Sequence, residues 1–279
     1  MTGGFFSRTE RFGVVGSTND VVAAWLDTGT PEVCLAVAGE QAAGRGREDR
    51  TWVSPPGAGL LCSLGFRPAW LPPGRAWQIA ASVSLAMADA AEEVAGLRDR
   101  TIRLKWPNDL VVEEADPGAP GSGSGGGAVR KLGGVLGESS GLGTGDPRVV
   151  VGIGLDADWA EADFPPDLAA TMTSLRVVSG GRPIDREALL EAFTDRLEPR
   201  IEALRGGRFD VYDWSARQLT TGRWVRIGGR GGRAGEWLAV GLDAATGALL
   251  VADPAVPGGE RAVHAGEVVS LRVADAARV

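Results

Sequence analysis

The chain has 279 residues, of which 44% are hydrophobic, so it can bury the core of one large domain or of a domain with a small additional module. Its formal net charge of −7 argues against a general nucleic-acid binder and against a protein held on anionic membranes. No run approaches the ~18 consecutive apolar residues of a membrane span, and the N-terminus lacks the features of a secretion signal. Cys34 and Cys62 lie in apolar, strand-like runs, which predicts buried, reduced thiols and a cytoplasmic protein.

The single histidine, His264, limits the chemistry that the chain can perform. It excludes a His-rich metal site, and a Ser-His-Asp triad would depend on this one residue. Catalysis is therefore expected to rest on Arg, Lys, Asp, Asn and backbone N–H groups. That inventory suits phosphoryl or nucleotidyl transfer, where positioning and charge neutralisation provide most of the catalysis.

The first two thirds of the chain alternate strand-like and helical segments. A short strand over residues 12–15 runs into a helix whose predicted N-cap is Ser17 and whose predicted stop is Gly29. Further strands are predicted over residues 33–39, 59–66, 102–106, 110–113, 132–138 and 148–155, and further helices over 75–95, 185–204 and 209–218. Mixed strands with few long helices predict an α+β domain in which helices cover a mixed sheet.

After Thr221 the pattern changes to short strands separated by Gly-rich turns. These strands are predicted over residues 224–227, 237–242, 248–251, 261–264 and 268–273. They indicate a small five-stranded barrel. We therefore predict a catalytic domain over residues 1–218 and a C-terminal barrel domain over residues 219–279.

Residues 116–128 consist almost entirely of Gly, Ser, Pro and Ala. Gly121, Gly123 and Gly126 fit the spacing of a dinucleotide-binding fingerprint, but no apolar helix opens after them. We interpret the segment as a flexible surface insertion at a hairpin tip, whose two flanking segments still meet.

Residues 39–52 combine three arginines, the spaced glycines Gly44 and Gly46, and a tryptophan. Glycines let a backbone fold closely around a ligand, and arginine forks bind carboxylates and phosphates in a bidentate manner. The segment is typical of a loop that binds a small anion next to a nucleotide. A solvated basic turn is the alternative interpretation.

Three further blocks carry polar residues at the ends of predicted strands. Residues 104–110 place a lysine, an asparagine and an aspartate around a proline, which suits Mg²⁺ or a phosphate; a surface turn is the alternative. In residues 130–138, Lys131 precedes a strand whose glycines allow a ligand to approach closely. Residues 150–158 form a strand that ends in a Gly-Leu-acid corner.

Taken together and in this order, these blocks resemble the signatures of the biotin protein ligase family, the biotin–acetyl-CoA-carboxylase ligases. The matching segments are residues 17–19, 40–52, 105–109, 131–138 and 152–156. The last match, to Gly-Ile-Gly-x-Asn, fails only at its final residue, where Asp156 stands in place of asparagine.

The resemblance covers about residues 12–215 and leaves a compatible C-terminal barrel. It implies the α+β fold shared with class II aminoacyl-tRNA synthetases, followed by an SH3-like barrel. Since the catalytic signature begins at Ser17, we expect a monofunctional ligase without the N-terminal DNA-binding domain of the family's repressors.

The resemblance implies two half-reactions. The carboxylate of biotin attacks the α-phosphorus of ATP and gives biotinyl-5′-AMP and pyrophosphate. A lysine of a biotin carboxyl carrier protein then attacks the mixed anhydride and releases AMP. The implied ligands and partners are ATP, Mg²⁺, biotin and the carrier protein, without nucleic acid or membrane, and a homodimer is left open.

The resemblance also implies a role for each matching residue. Lys131 and Arg47 are the implied catalytic residues, with Lys131 stabilising charge where carboxylate and phosphorus meet. The implied biotin-binding residues are Ser17, Thr18, Asn19, Gln41, Gly44, Arg45, Gly46, Arg47, Lys131, Gly134 and Gly152. The implied ATP-binding residues are Arg47, Arg50, Trp52, Lys105, Asn108, Lys131 and Asp156. The implied Mg²⁺ ligands are Asp109 and Asp156.

Several of these residues also have a purely structural interpretation. Taken alone, Ser17 is interpreted equally well as a helix cap. Trp106 can be interpreted as a core residue, and Lys105 as an exposed strand end. Two other functions stay open: a lipoate or octanoate ligase or transferase of the same fold, and a non-catalytic sensor of biotin or its adenylate.

Overall fold

The structure is a computed structural model and describes residues 4–114, 127–229, 235–252 and 258–265, together with the backbone of 268–273. Most of the predicted Gly-rich insertion, 116–128, lies outside these residues. Its two flanks meet as expected. Glu114 N donates a hydrogen bond to Ala128 O at 3.0 Å, a distance typical of paired strands.

The larger unit is built from a mixed sheet and helices, as the α+β prediction requires. Its strands are β1 (Arg8–Val15), β2 (Cys34–Gln41), β3 (Gly59–Phe66), β4 (Ile102–Lys105), β5 (Asp109–Glu113), β6 (Val129–Ser140) and β7 (Arg148–Asp156). Its helices are α1 (Thr18–Asp27), α2 (Trp77–Val94), α3 (Leu175–Val178), α4 (Arg186–Arg205) and α5 (Val211–Ala216). Single 3₁₀ turns occupy Pro73–Arg75 and Glu161–Asp163. The short helix α3 is the one helix of the described chain that the sequence pattern did not predict.

The strands form a seven-stranded sheet in the order β1-β2-β3-β7-β6-β5-β4. β1 runs parallel to β2, and the other neighbours are antiparallel. Helices α2 and α4 pack on one face, where they share a core cluster with Val151 and Ile153 of β7. On the opposite face, α1 packs against β2 and β3 through Val22 and Leu26.

Two helices begin near their predicted starts but are capped differently. The carboxylate of Asp185 caps α4, because it accepts hydrogen bonds from Glu187 N at 2.9 Å and Ala188 N at 3.2 Å. Ser17 does occupy the N-cap position of α1, but its hydroxyl makes no capping hydrogen bond. The predicted N-cap position of Ser17 is therefore confirmed, and its buried hydroxyl is available for another role.

The predicted buried thiols are confirmed. Cys34 belongs to the cluster under α1 and Cys62 to the core on the opposite face, and both are free and buried. Burial raises the pKa of Cys34 to about 11 and that of Cys62 to about 12. Both thiols are therefore protonated at neutral pH and act as small apolar side chains.

A buried arginine supports the outer strand β4. Arg217, with only 1% of its side chain exposed, pairs with Asp89 at 2.5 Å and Glu92 at 3.0 Å. Its carbonyl oxygen accepts from Leu104 N at 2.8 Å, and Leu219 N donates to Leu104 O at 2.8 Å. The segment after α5 thus lies along β4 and holds the end from which the 105–109 turn begins.

The C-terminal region forms a separate five-stranded antiparallel sheet. Its strands are β8 (Trp224–Gly229), β9 (Gly235–Leu242), β10 (Leu249–Ala252), β11 (Glu260–Val263) and β12 (Val268–Val273), in the order β11-β10-β9-β8-β12. The strands are those predicted from the sequence. Trp106 packs into the core of this sheet with Val225 and Leu249, and its Nε1 donates to Gly247 O at 3.0 Å. The interpretation of Trp106 as a core residue is thereby confirmed.

None of the helices within the described ranges is long and apolar enough to cross a membrane.

Candidate functional site

One face of the sheet is left open by glycines, and we call it the glycine face. Gly152 and Gly154 alternate along β7 with core residues that point to the opposite side, and Gly134 of β6 pairs with Gly154. Because these positions lack side chains, other groups lie directly on the strands. All three glycines belong to the segments that the sequence singled out.

The start of α1 brings several predicted ligand residues onto this face. Ser17, Thr18 and Asn19 are all buried there. Gln41 Oε1 at the end of β2 accepts from Thr18 N at 2.7 Å and from Thr18 Oγ1 at 2.9 Å. Ser63 Oγ of β3 lies 2.7 Å from Thr18 Oγ1. The result is a compact pocket of hydrogen-bonding groups between α1 and the sheet.

The amide of Asn19 is held at both ends. Its Oδ1 lies 2.6 Å from Ser63 Oγ, and its Nδ2 donates to Glu138 Oε2 at 2.5 Å. A Cβ atom at Gly152 would lie 2.2 Å from Asn19 Oδ1. The glycine is therefore required for Asn19 to lie across β7.

The arginine loop, residues 44–52, folds back on itself as a short hairpin. Trp52 N donates to Gly44 O at 2.9 Å, and Gly46 N donates to Arg50 O at 2.6 Å. A Cβ atom at Gly44 would lie 2.6 Å from Trp52 O, so the two sides approach too closely for a side chain there. The glycines of the loop thus allow its two backbone segments to approach each other closely, as the sequence predicted.

At the loop tip, Glu48 and Asp49 have φ angles of 55° and 56°. Left-handed backbone at a non-glycine residue costs about 1 kcal/mol or more, so the tip is held under strain. Arg50, which follows them, is exposed.

The other two loop arginines point in different directions. Arg45 pairs with Asp20 of α1 at 2.7 Å and with Glu138 of β6 at 3.3 Å. Arg47 donates instead to the carbonyl oxygen of Ala265 in the C-terminal region. Burial lowers the pKa of Arg47 without removing its charge at neutral pH. The loop therefore connects the sheet and α1 at one point and the C-terminal region at another.

Trp52 closes the loop by lying on the glycine face. A Cβ atom at Gly154 would be 2.4 Å from the indole Cε2, so the ring occupies the space over that glycine. Lys131 Nζ lies 5.5 Å from the centre of the Trp52 ring, within the range of a cation–π contact. Trp52 Nε1 is buried and has no hydrogen-bond partner among the described residues.

Lys131 stands at the centre of the predicted site. Its Nζ lies 2.6 Å from Asp109 Oδ1, and Lys105 Nζ lies 3.8 Å from Asp109 Oδ2. The backbone of Lys131 is fixed from outside the sheet by hydrogen bonds to Thr171 O and from Thr173 N, both 2.8 Å. An irregularity in the β5–β6 register falls beside it. Lys105, Asp109 and Lys131, which lie at most 26 residues apart in sequence, thus form one charged cluster.

Asp156, the predicted departure from the family pattern, ends β7 with only 4% of its surface exposed. Burial raises its pKa to about 8, and the positive charge of Lys131 opposes that rise. Its Oδ1 is buried and has no hydrogen-bond partner in the described part of the chain. A buried carboxyl oxygen of this kind is a group that a ligand or cation would satisfy.

A cavity of about 250 Å³ adjoins this cluster, between α2, the 105–109 turn and the C-terminal sheet. Its lining includes Arg47, Lys105, Asn108, Asp109 and Ala265. Asp109, the ion-pair partner of Lys131, is thus part of the cavity wall. No cluster of three or more potential His, Cys, Asp or Glu metal ligands occurs within the described ranges.

Sequence reasoning missed two residues of this arrangement. Ser63 is the one hydroxyl in the apolar run of β3, and Glu138 is the last residue of the fourth matching segment, residues 131–138. A lone polar residue in a buried strand was the available signal for Ser63. Nothing in the sequence indicated that Glu138 contacts both Asn19 and Arg45.

Comparison with known proteins gives the family to which this fold and site belong. Residues 12–156 match the biotin/lipoate A/B protein ligase family. The chain is 31% identical over 260 residues to a biotin–[acetyl-CoA-carboxylase] ligase of Mycobacterium tuberculosis, covering 92% of this chain and 86% of that protein. It is also 31% identical over 259 residues to the enzyme of that name from Paracoccus denitrificans, covering 90% and 96%.

Among solved structures, the biotin protein ligase of Aquifex aeolicus in complex with biotin and ATP superposes with a TM-score of 0.74 at 25% identity. The match covers 96% of this chain and all of the other. The protein therefore belongs to the biotin/lipoate A/B protein ligase family.

Proposed function

We propose that the protein is an ATP-dependent biotin protein ligase. It would activate biotin to biotinyl-5′-AMP and transfer the biotinyl group to a lysine of a biotin carboxyl carrier protein. The main support is the convergence of Lys131, Asp109 and Trp52 on a glycine face whose other end is the polar pocket of α1. Relatives named biotin–[acetyl-CoA-carboxylase] ligase and a related structure that contains biotin and ATP support the same conclusion.

The pocket at the start of α1 is proposed to bind the ureido group of biotin. Thr18, Asn19 and Gln41 supply fixed hydrogen-bonding groups, and Ser17 contributes a hydroxyl that does not cap the helix. Gly152 would act through the Asn19 amide that lies over it, and Gly134 would leave room for the bicyclic ring and the tail on the face of the sheet. Buried, prearranged polar groups favour the ligand that satisfies them all.

The arginine loop is proposed to cover the biotin tail and its carboxylate. The backbone of residues 44–46 would surround the tail. Arg47 would turn from Ala265 O to the carboxylate, because a charged acceptor binds a guanidinium more strongly than a neutral carbonyl does. Arg45 would act mainly through its pairs with Asp20 and Glu138, which hold the base of the loop.

ATP is proposed to bind between the loop and the cavity beside the 105–109 turn. Trp52 would pack against the adenine, and Arg50, Lys105 and Asn108 would contact the phosphates. The buried Oδ1 of Asp156 would complete this surface.

In the first step, an oxygen of the biotin carboxylate bonds to the α-phosphorus while the bond to the pyrophosphate oxygen breaks. No general base is needed, because the carboxylate is ionised at neutral pH. The Nζ of Lys131 would lie where negative charge accumulates on the α-phosphate. In the second step, the neutral carrier lysine attacks the anhydride carbon, a C–N bond forms, the C–O bond to AMP breaks, and the amine loses a proton.

The donor set fits a Mg²⁺ ion that binds mainly through nucleotide phosphates. One or two carboxylates suffice for such an ion, and Asp109 and Asp156 are the candidates. The unsatisfied Oδ1 of Asp156 is consistent with a ligand role. When bound, Mg²⁺ would neutralise charge on the triphosphate.

Five further features are part of the proposal. The C-terminal sheet would close as an SH3-like barrel, and the domains would divide into residues 1–218 and 219–279. The protein would act in the cytoplasm, without binding nucleic acid, and its Mg²⁺ site would be filled only with nucleotide.

The deciding experiment is incubation of the purified protein with biotin, Mg-ATP and a carrier domain, followed by intact mass measurement of the carrier. A mass increase of one biotinyl group is expected, and replacing the carrier lysine with arginine is the control. Modification with lipoate or octanoate in place of biotin would support the acyl-transfer alternative. Binding of biotin without any carrier modification would support the sensor.

A further inference from the structure

Glu138 connects two parts of the site that are far apart in sequence. Its Oε2 accepts from Asn19 Nδ2 at 2.5 Å, in the pocket at the start of α1. Both of its oxygens also lie 3.3 Å from Arg45 Nη2, at the base of the arginine loop. One carboxylate therefore bonds to the pocket and the loop at the same time.

The orientation of Asn19 depends on this contact. Its amide oxygen is already bonded to Ser63, and the lack of a side chain at Gly152 makes room for the amide in this position. Without an acceptor at Glu138, the buried amide nitrogen would lose its partner and the side chain would be free to rotate. The pocket would then present a different set of groups to a ligand.

The position of the loop depends on the same carboxylate. Arg45 spans Asp20 on α1 and Glu138 on β6, so its guanidinium joins the helix, the sheet and the loop. Arg45 also forms a backbone bridge with Thr51, across the base of the hairpin. Fixing Arg45 therefore fixes where both sides of the loop leave the sheet.

We propose that Glu138 is a positioning residue for biotin binding, which sets the α1 pocket and the base of the arginine loop in one geometry. The inference rests on the proposed function. A carboxylate suits both contacts, because it offers only acceptors to an amide N–H and to a guanidinium. A glutamine side chain at this position would still accept a hydrogen bond from Asn19 Nδ2, but it would present an uncharged amide to Arg45.

The test compares Glu138→Gln and Glu138→Ala by the KM for biotin and the kcat of adenylate formation. Because the Arg45 pair is half exposed, Glu138→Gln should raise the KM about 3-fold. Glu138→Ala also leaves the buried Asn19 amide without its acceptor, so the KM should rise about 10-fold to 100-fold. In both variants kcat should change less than about 3-fold, since Glu138 contacts no reacting atom.

Two comparisons separate this role from general stability. In an Arg45→Ala background, Glu138→Gln should produce no further rise in KM, because its partner is already absent. The matched control is Glu187→Gln, which removes an exposed ion pair with Arg11, 2.7 Å long, outside the site. That variant should keep the wild-type KM and kcat.

A wild-type protein that forms no biotinyl-adenylate would refute the proposed function itself. If the wild type is active, the positioning role is overturned by a Glu138→Ala variant with an unchanged KM for biotin. It is equally overturned if the substitutions lower kcat alone, or if Glu187→Gln has the same effect as Glu138→Gln.

Discussion

Replacing Lys131 with alanine should remove most of the adenylation activity while leaving the fold intact. The side chain is 38% exposed, and its ion pair with Asp109 is 2.6 Å long. A partly exposed pair of this kind contributes up to about 1 kcal/mol to stability, which corresponds to a fall in Tm of at most about 4 °C. The structural cost of the substitution is therefore small.

The catalytic cost should be much larger. A prearranged cation at the developing charge is worth about 3–4 kcal/mol, or a factor of about 10² to 10³ in kcat. The geometry agrees with such a role, because Lys131 lies between Trp52 and the 105–109 turn. The loss should appear in kcat and not in the KM for biotin.

Single-turnover formation of biotinyl-AMP from labelled ATP measures this step without the carrier protein. Lys131→Arg is the matched variant, since it keeps the charge but replaces a compact ammonium with a planar fork, and it should retain part of the rate. A rate for Lys131→Ala within 3-fold of the wild type, taken as about 0.7 kcal/mol, would refute the assignment. A loss of Tm well above about 4 °C would mean that folding, not catalysis, was perturbed.

Three further predictions follow from the glycine face and the end of β7. Gly152→Ala should raise the KM for biotin at least about 10-fold, because its Cβ would lie 2.2 Å from Asn19 Oδ1; an unchanged KM would contradict the packing. Gly154→Ala should raise the KM for ATP more than that for biotin, since its Cβ would lie 2.4 Å from the indole of Trp52, and the reverse order would count against adenine packing. The folded state holds the proton of Asp156 more tightly, so stability should fall as the pH rises from its ordinary pKa of 3.8 to about 8 and then level off. Asp156→Asn should remove this fall, so its gain in Tm over the wild type should be larger at the upper end of that range; an equal gain at every pH would be the contrary result.

The sequence was most informative where its pattern is local. Asp185 is followed by a long amphipathic segment and caps α4, because N-capping depends only on neighbouring backbone N–H groups. The alternation of core residues with Gly152 and Gly154 along β7 likewise follows from the twofold period of a strand. The strands of the C-terminal sheet were predictable for the same reason, from short apolar runs between Gly-rich turns.

Side-chain directions in the arginine loop could not be predicted in this way. The sequence places Arg45 and Arg47 two residues apart in one basic segment, and no local pattern tells which neighbours each side chain contacts. In the folded protein Arg45 pairs with Asp20 and Glu138, while Arg47 reaches Ala265. The difference arises from residues at the start of α1, on β6 and near the C-terminus, which only folding brings to the loop.

The sequence by itself therefore determined the family, the mixed α/β architecture and the segments that meet at the site, because each depends on residue types at short spacing. Tertiary structure alone decided how those segments are connected. Ser63 and Glu138 lie 44 and 119 residues from Asn19, yet both hold its amide. Contacts across such distances depend on the order and register of β3, β7 and β6, which no local pattern encodes.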